Sequence, residues 1–232
     1  MVIFYFVIAL TVIYSIRVTI YLAWLYFQTE KTIKDCKLFE QKSSNRSYNA
    51  FFTGDSLTYG AGASDPNKSI AGLFYSDNPN FAVHNKSVNK ITTRAMLSQM
   101  DGLRNSNTTY TYSVLSIGGN DIVQFRSMRG IEERIRDIVK ILETVSENIY
   151  IFTPTKPGKS PLVIKWIVIN RVKKLRRIVQ SLESNSVHHV DMWKAGDKLL
   201  AHPEKYFVKD TLHLSDEGQS AWYTQLRKVM NK

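Results

Sequence analysis

A single cysteine, Cys36, stands in a chain of 232 residues, so no internal disulfide and no multi-cysteine zinc site can form. Proline and glycine are also sparse, at 6 and 11 residues, which excludes a collagen-like repeat and a low-complexity linker protein. Acid is in short supply. Asp+Glu number 20 against 31 Lys+Arg, a formal net charge of +11. The charge is unevenly spread, because residues 1–27 hold one charged residue, Arg17, and the remainder carries a net of +10. With 44% hydrophobic residues the chain can bury a core and is not disordered, and its length suits one main domain.

The leader MVIFYFVIALTVIYSIRVTIYLAWLYF reads as a transmembrane helix. At 1.5 Å per residue it spans about 40 Å, more than the roughly 30 Å hydrocarbon layer. Arg17 either snorkels to an interface or costs about 2.5–3.5 kcal/mol deeper in the bilayer. A cleavable signal peptide is the second reading, but basic residues before the apolar run and a small-x-small site after it are both missing. Taken alone, the positive-inside rule applied to Lys31, Lys34, Lys37, Lys42 and Arg46 would put the body on the cytoplasmic side; the sequence leaves both sides of the membrane open for it. Residues 1–27 are thus an expected anchor, 28–47 a polar spacer, and 48–232 the folded domain.

Within that domain, strand-like runs alternate with longer helical patterns. The runs are 48–53, 81–84, 112–117, 148–153 and 187–190. Between them, Ile131, Ile135, Ile138, Leu142 and Val145 form one apolar stripe, and Val168, Val172, Leu175, Val179 and Leu182 form another. A last helix is expected over about 215–230, capped by Ser215. This order predicts parallel βαβ units in a three-layer α/β/α sandwich with a mainly parallel sheet of about five strands. In such sheets, reactive groups lie in loops beyond the carboxyl ends of the strands.

Three loops at those positions carry chemistry. GDSLTYG, residues 54–60, follows the first strand and sets Ser56 at a strand-to-helix turn; a plain turn with Ser56 as a cap would read the same. SIGGND, residues 116–121, follows the third strand and lets Asn120 aim an amide donor at the cleft, or forms an ordinary glycine turn. DTLH, residues 210–213, precedes the last helix, with Asp210 spaced to hold the Nδ1–H of His213 and leave Nε2 as a base. Each motif has a bland reading. Their joint occurrence supplies nucleophile, oxyanion donor, orienting acid and base.

The order Ser, Asn, Asp, His resembles that of the SGNH (GDSL) hydrolase family, esterases and lipases with a flavodoxin-like α/β/α fold. The resemblance covers roughly residues 48–230. It implies an acyl transfer in which Ser56 attacks an ester carbonyl, His213 takes the proton and Asp210 orients the ring. It also implies an oxyanion hole made by the N–H of Ser56, the N–H of Lys90 and the side chain of Asn120, with no metal or organic cofactor. The segment NKSVNKITT, residues 85–93, departs from the family pattern, since Lys90 stands where glycine is expected and Asn89 where serine is. A turn needing positive φ would strain Lys90 by about 1 kcal/mol or more. Its ammonium is read as solvent-directed, with an anionic substrate group as the alternative.

The expected substrate is a small-molecule, lipid or glycan ester; lipid acyl esters and O-acetylated polysaccharide are the two main classes. An anchored glycan- or lipid-binding domain with lost catalysis, and an O-acyltransferase using the same triad, are the other functional readings. The basic stretch 165–177 reads first as a solvated outer helix face and second as a membrane-surface element, while no recognition motif supports nucleic acid. His84, His188, His189 and His202 are read as core or surface residues.

Overall fold

A computed structural model describes residues 1–41, 47–103, 108–158 and 161–232, apart from the side chain of Val2. Five strands run in parallel: β1 (Tyr48–Gly54), β2 (Phe81–Asn85), β3 (Tyr110–Ser116), β4 (Ser146–Phe152) and β5 (Val187–Val190). Their spatial order is β2-β1-β3-β4-β5, the flavodoxin-like order, with a topological switch point between β1 and β3. Gly54 pairs with Ser116, Ser116 with Phe152, and Phe152 with Val190, so four strands end at one level. The expected strand positions agree with these to within a few residues.

Ten α-helices are described: α1 (Val2–Asp35), α2 (Ser56–Tyr59), α3 (Ile70–Asp77), α4 (Thr93–Met100), α5 (Gly119–Val123), α6 (Met128–Glu143), α7 (Leu162–Gln180), α8 (Met192–Ala201), α9 (Pro203–Tyr206) and α10 (Asp216–Met230). Because strand side chains alternate, each strand feeds both faces of the sheet. Phe51, Leu115 and Ile151 pack with Met96 of α4, Ile131, Ile135 and Leu142 of α6, and Leu175 of α7. Phe52, Val114 and Phe152 pack on the other side with Phe74 of α3, Met192 of α8 and Trp222 of α10. Each such fully buried side chain contributes about 1.5–3 kcal/mol, and two layers of them against one sheet account for the sandwich. Ser215 caps α10 by accepting the Gly218 N–H.

The helix α1 is long and apolar enough to cross a bilayer, and most of its apolar side chains are exposed. The hydroxyls of Thr11, Ser15 and Thr19 each donate to the carbonyl four residues back, so they add no unpaired donor to an apolar surface. The helix does not stop at Phe27. It continues to Asp35, eight residues into the stretch read as a spacer, because Gln28–Asp35 contains no proline or glycine to end it. Beyond it, Phe39 is buried among the α3-side core residues, and Gln41 bridges Val83 in antiparallel fashion, covering the open edge of β2. Lys42 and Arg46, counted in the orientation argument, lie outside the described residues.

Candidate active site

The site begins where β1 ends. Gly54 has φ 135°, and a Cβ there would lie 2.1 Å from the Ser116 carbonyl oxygen, so only glycine lets β1 run this close to β3. Asp55 caps α2 by accepting the Leu57 N–H, and Ser56 is the first residue of that helix. Asp55 is buried, and its Oδ1 also accepts the Ser116 hydroxyl at 3.0 Å. Burial pushes its carboxyl up to about 6 despite these hydrogen bonds and the nearby His213 ring.

From the far end of the chain, the loop before α10 supplies the other two groups. His213 Nε2 lies 2.9 Å from Ser56 Oγ, and His213 Nδ1 lies 2.6 Å from Asp210 Oδ2. Asp210 is fully buried, and its Oδ1 accepts the backbone N–H groups of Leu212 and His213, each at 2.9 Å. Thr211, at φ 58°, makes the left-handed turn that closes this carboxylate onto its own chain. Burial raises the Asp210 carboxyl, but the His213 ring, its charge and the two N–H groups outweigh burial and bring it down to about 2. Asp210 is therefore an anion at neutral pH. An alcohol facing an imidazole whose other nitrogen is held by a buried carboxylate is the arrangement that makes a serine nucleophilic.

The loop after β2 completes the surroundings. Lys86 N–H donates to the Phe52 carbonyl and Val88 N–H to the Gly54 carbonyl, which lays this loop beside the β1 turn. Lys90 adopts φ 63°, the strained left-handed turn foreseen for a residue in glycine's place. Asn120 Nδ2 donates to the Ile91 carbonyl at 3.0 Å, tying the α5 turn to the same loop, and a carboxamide nitrogen keeps a second N–H for another acceptor. Beneath them, the buried Asp121 accepts both the N–H and the hydroxyl of Thr93 at 2.8 Å, and Arg134 Nε donates to the same hydroxyl.

The Lys90 side chain is exposed, and its ammonium pairs at the surface with Glu30 and lies 5.4 Å from the Tyr26 ring centroid, both on α1. Next to it, Asn89 Nδ2 donates to Cys36 Sγ at 3.7 Å. The reason is the extra length of α1, which carries its last turns to the loop. Asp55, Asp121 and Glu30 are the site's residues that sequence reasoning missed. Only Asp55 had a local signal, as the cap of the turn it precedes.

The basic helix α7 resolves into two parts. Val172, Leu175, Ile178 and Val179 are buried against the sheet, whereas Leu162, Val163 and Trp166 in its first turns are exposed. A cavity of about 570 Å³, walled by Pro157, Leu200, Pro203, Phe207 and Val208, abuts the same loop through Thr211, without Ser56 or His213 in its lining. Of the other histidines, His189 is buried with Nε2 2.9 Å from Thr153 Oγ1, and His188 stacks on Tyr150.

A flavodoxin-like parallel sheet with Ser56 and Asn120 at its β1/β3 switch point, and a histidine–carboxylate pair closing on the serine, defines a serine-hydrolase type of α/β/α protein. The model of the GDSL-like lipase/acylhydrolase family matches residues 52–221, and the chain belongs to that family: it is a serine ester hydrolase by membership. Similar solved structures include a member of the lipolytic G-D-S-L family from Veillonella parvula, at 13% identity and TM-score 0.66, covering 79% of this chain and 98% of that one. TesA matches at 12% identity and TM-score 0.65, over 78% of this chain and 97% of its own. The acetylxylan esterase Axe2 of Geobacillus stearothermophilus matches at 16% identity and TM-score 0.61, over 80% and 94%. At these identities the likeness concerns the fold. No curated protein sequence matches the chain.

Proposed function

We propose that the protein is a membrane-anchored esterase that cleaves carboxylic esters through an acyl-enzyme on Ser56. The observation that carries this is the hydrogen-bonded chain Ser56–His213–Asp210, whose first two members are 157 residues apart in sequence and 2.9 Å apart in space. Ser56 Oγ attacks the ester carbonyl while His213 Nε2 takes its proton, and Asp210 holds the ring and stabilises the imidazolium. The tetrahedral oxyanion is met by the N–H of Ser56, the N–H of Lys90 and the Asn120 amide. Collapse expels the alcohol, which leaves with the proton held on His213. Water then attacks the acyl-serine, His213 again takes the proton, and the acid departs with the enzyme restored. Removing one oxyanion donor typically costs about 10²–10³ in turnover.

The substrate classes are lipid acyl esters and O-acetylated glycans, and residues 1–27 are the anchor that holds the domain at a membrane. A binding domain without catalysis has no need of the Asp210 anion turned onto a histidine that reaches a serine, and this favours the enzyme. The test is a fluorophosphonate probe on the full-length protein, with the modified peptide read by mass spectrometry. Label on Ser56, lost in Ser56→Ala along with ester hydrolysis, is the expected result; unchanged labelling of Ser56→Ala would remove Ser56 as the nucleophile.

A further inference from the structure

Outside α1, the exposed large apolar side chains among the described residues gather at one edge of the sheet. Val88 lies in the loop after β2, Val123 and Phe125 follow β3, Leu162 and Trp166 begin the helix after β4, and Leu212 stands between Asp210 and His213. The exceptions are Met1, which precedes α1, and Tyr48, at the start of β1. In a parallel sheet, the segments after β2, β3 and β4 leave the carboxyl ends of strands, the edge that carries Ser56, and the Leu212 loop, which follows α9, is held at that edge by the contact of His213 with Ser56. Leu162 is 81%, Trp166 68% and Phe125 56% exposed. Rings this open, grouped on one face, mark a surface that meets an apolar partner.

The last turns of α1 reach the same edge. Lys90 touches Tyr26 and Glu30 of α1, and Asn89 touches Cys36 just past its end. Tyr26 belongs to the final turn of the apolar stretch, and Glu30 stands three residues past Phe27, about 4.5 Å of helix rise. Where α1 leaves the hydrocarbon layer, the Lys90 loop is therefore at the depth of the lipid headgroups. Lys165 and Lys209 stand at the wall of the 570 Å³ cavity, which Glu204 also lines. Two ammonium groups to one carboxylate beside an apolar rim suit an anionic lipid surface.

We propose that this edge is a membrane-docking face, seated on the bilayer that α1 crosses, and that the ester taken by Ser56 is an acyl ester of a membrane lipid presented at headgroup depth. The proposal rests on the readings of α1 as a span and Ser56 as nucleophile. An apolar rim aligned with the bilayer gives a lipid ester a route to the serine; a soluble oligosaccharide ester gains nothing from it. The Lys90–Glu30 pair sets the height, which accounts for a lysine kept in a strained turn.

The test uses the full-length chain in vesicles of phosphatidylcholine and phosphatidylglycerol. A nitroxide at Phe125→Cys, in a Cys36→Ser background, should collide more with oxygen than with a water-soluble nickel chelate, and one at Tyr48→Cys should do the reverse. The pair Phe125→Asn and Trp166→Ser should lower hydrolysis of vesicle phosphatidylglycerol about tenfold, while p-nitrophenyl acetate is hydrolysed as by wild type. A nitroxide at 125 as water-exposed as at 48, or equal loss on both substrates, overturns the docking face. Carbonate-resistant flotation and Ser56 labelling report the two underlying readings separately: a chain that passes both and fails the nitroxide arm refutes docking alone, and one stripped by carbonate refutes the span together with docking.

Discussion

Replacing Asp210 by Asn changes one atom's chemistry and little of its shape. In the native chain Oδ1 accepts two backbone N–H groups and Oδ2 faces His213 Nδ1 at 2.6 Å. An asparagine retains the first pair of hydrogen bonds with its oxygen, which turns its NH₂ toward Nδ1. The imidazole must then accept at Nδ1 and carry its proton on Nε2, against Ser56 Oγ, where a base is needed. Such a tautomer reversal costs about 10⁴ in kcat, roughly 5.4 kcal/mol of transition-state stabilisation. Stopped-flow hydrolysis of p-nitrophenyl acetate at neutral pH measures it, with circular dichroism to verify the fold. The same substitution has a stability signature. Asp210 is held at about 2 against an ordinary 3.8, so its ionisation stabilises the folded state above pH 4, and that contribution is lost as pH falls toward 2. It amounts to about 2 kcal/mol. Urea unfolding of wild type should lose that amount between pH 5 and 2, and Asp210→Asn should lack that loss. A kcat for Asp210→Asn within tenfold of wild type would refute the assigned tautomer and the role of Asp210.

Two further outcomes follow from buried acids beside the site. Asp55 is raised to about 6 by burial, so its ionisation disfavours the folded state at pH 8 and that penalty fades as pH falls through 6 toward 4. Asp55→Asn keeps the Leu57 and Ser116 hydrogen bonds and should stabilise the protein by about 2–3 kcal/mol at pH 8, with little gain at pH 4; equal gains at both pH values in urea titrations would contradict the burial argument. Asp121→Ala leaves the Thr93 N–H and hydroxyl without their acceptor in a buried place, and should lower unfolding free energy by about 2–4 kcal/mol, with kcat falling as the loops of Asn120 and Lys90 loosen. Chemical denaturation and steady-state rates check both, and an unaffected midpoint would show that water replaces the carboxylate.

Much of the architecture was legible in the residues because its causes are local. Alternating short apolar runs and 3.6-period stripes dictate strands and helices, and the same Ile131–Ile135–Ile138–Leu142 stripe that predicts α6 is the one it buries. The Asp210–His213 pair was readable for a similar reason: a three-residue spacing lets a carboxylate reach a ring on its own turn. Other features depend on groups far apart in the chain. Nothing local in Lys90 reports Glu30, 60 residues away. Nor does Asp55 in isolation announce a carboxyl pushed up to about 6, since desolvation exists only once β1, β3 and the His213 loop enclose it.

The sequence by itself determined the element types, the five-strand parallel plan, the apolar leader and the chemical identity of Ser56, Asn120, Asp210 and His213, all set by side-chain type and short-range spacing. Tertiary structure alone decided that the residues around Ser56 and His213 meet, that Asp121 braces the Thr93 loop, and that the end of α1 grips Lys90. Those contacts depend on strand order, register and the length of one helix, and such distances in space have no counterpart in distance along the chain.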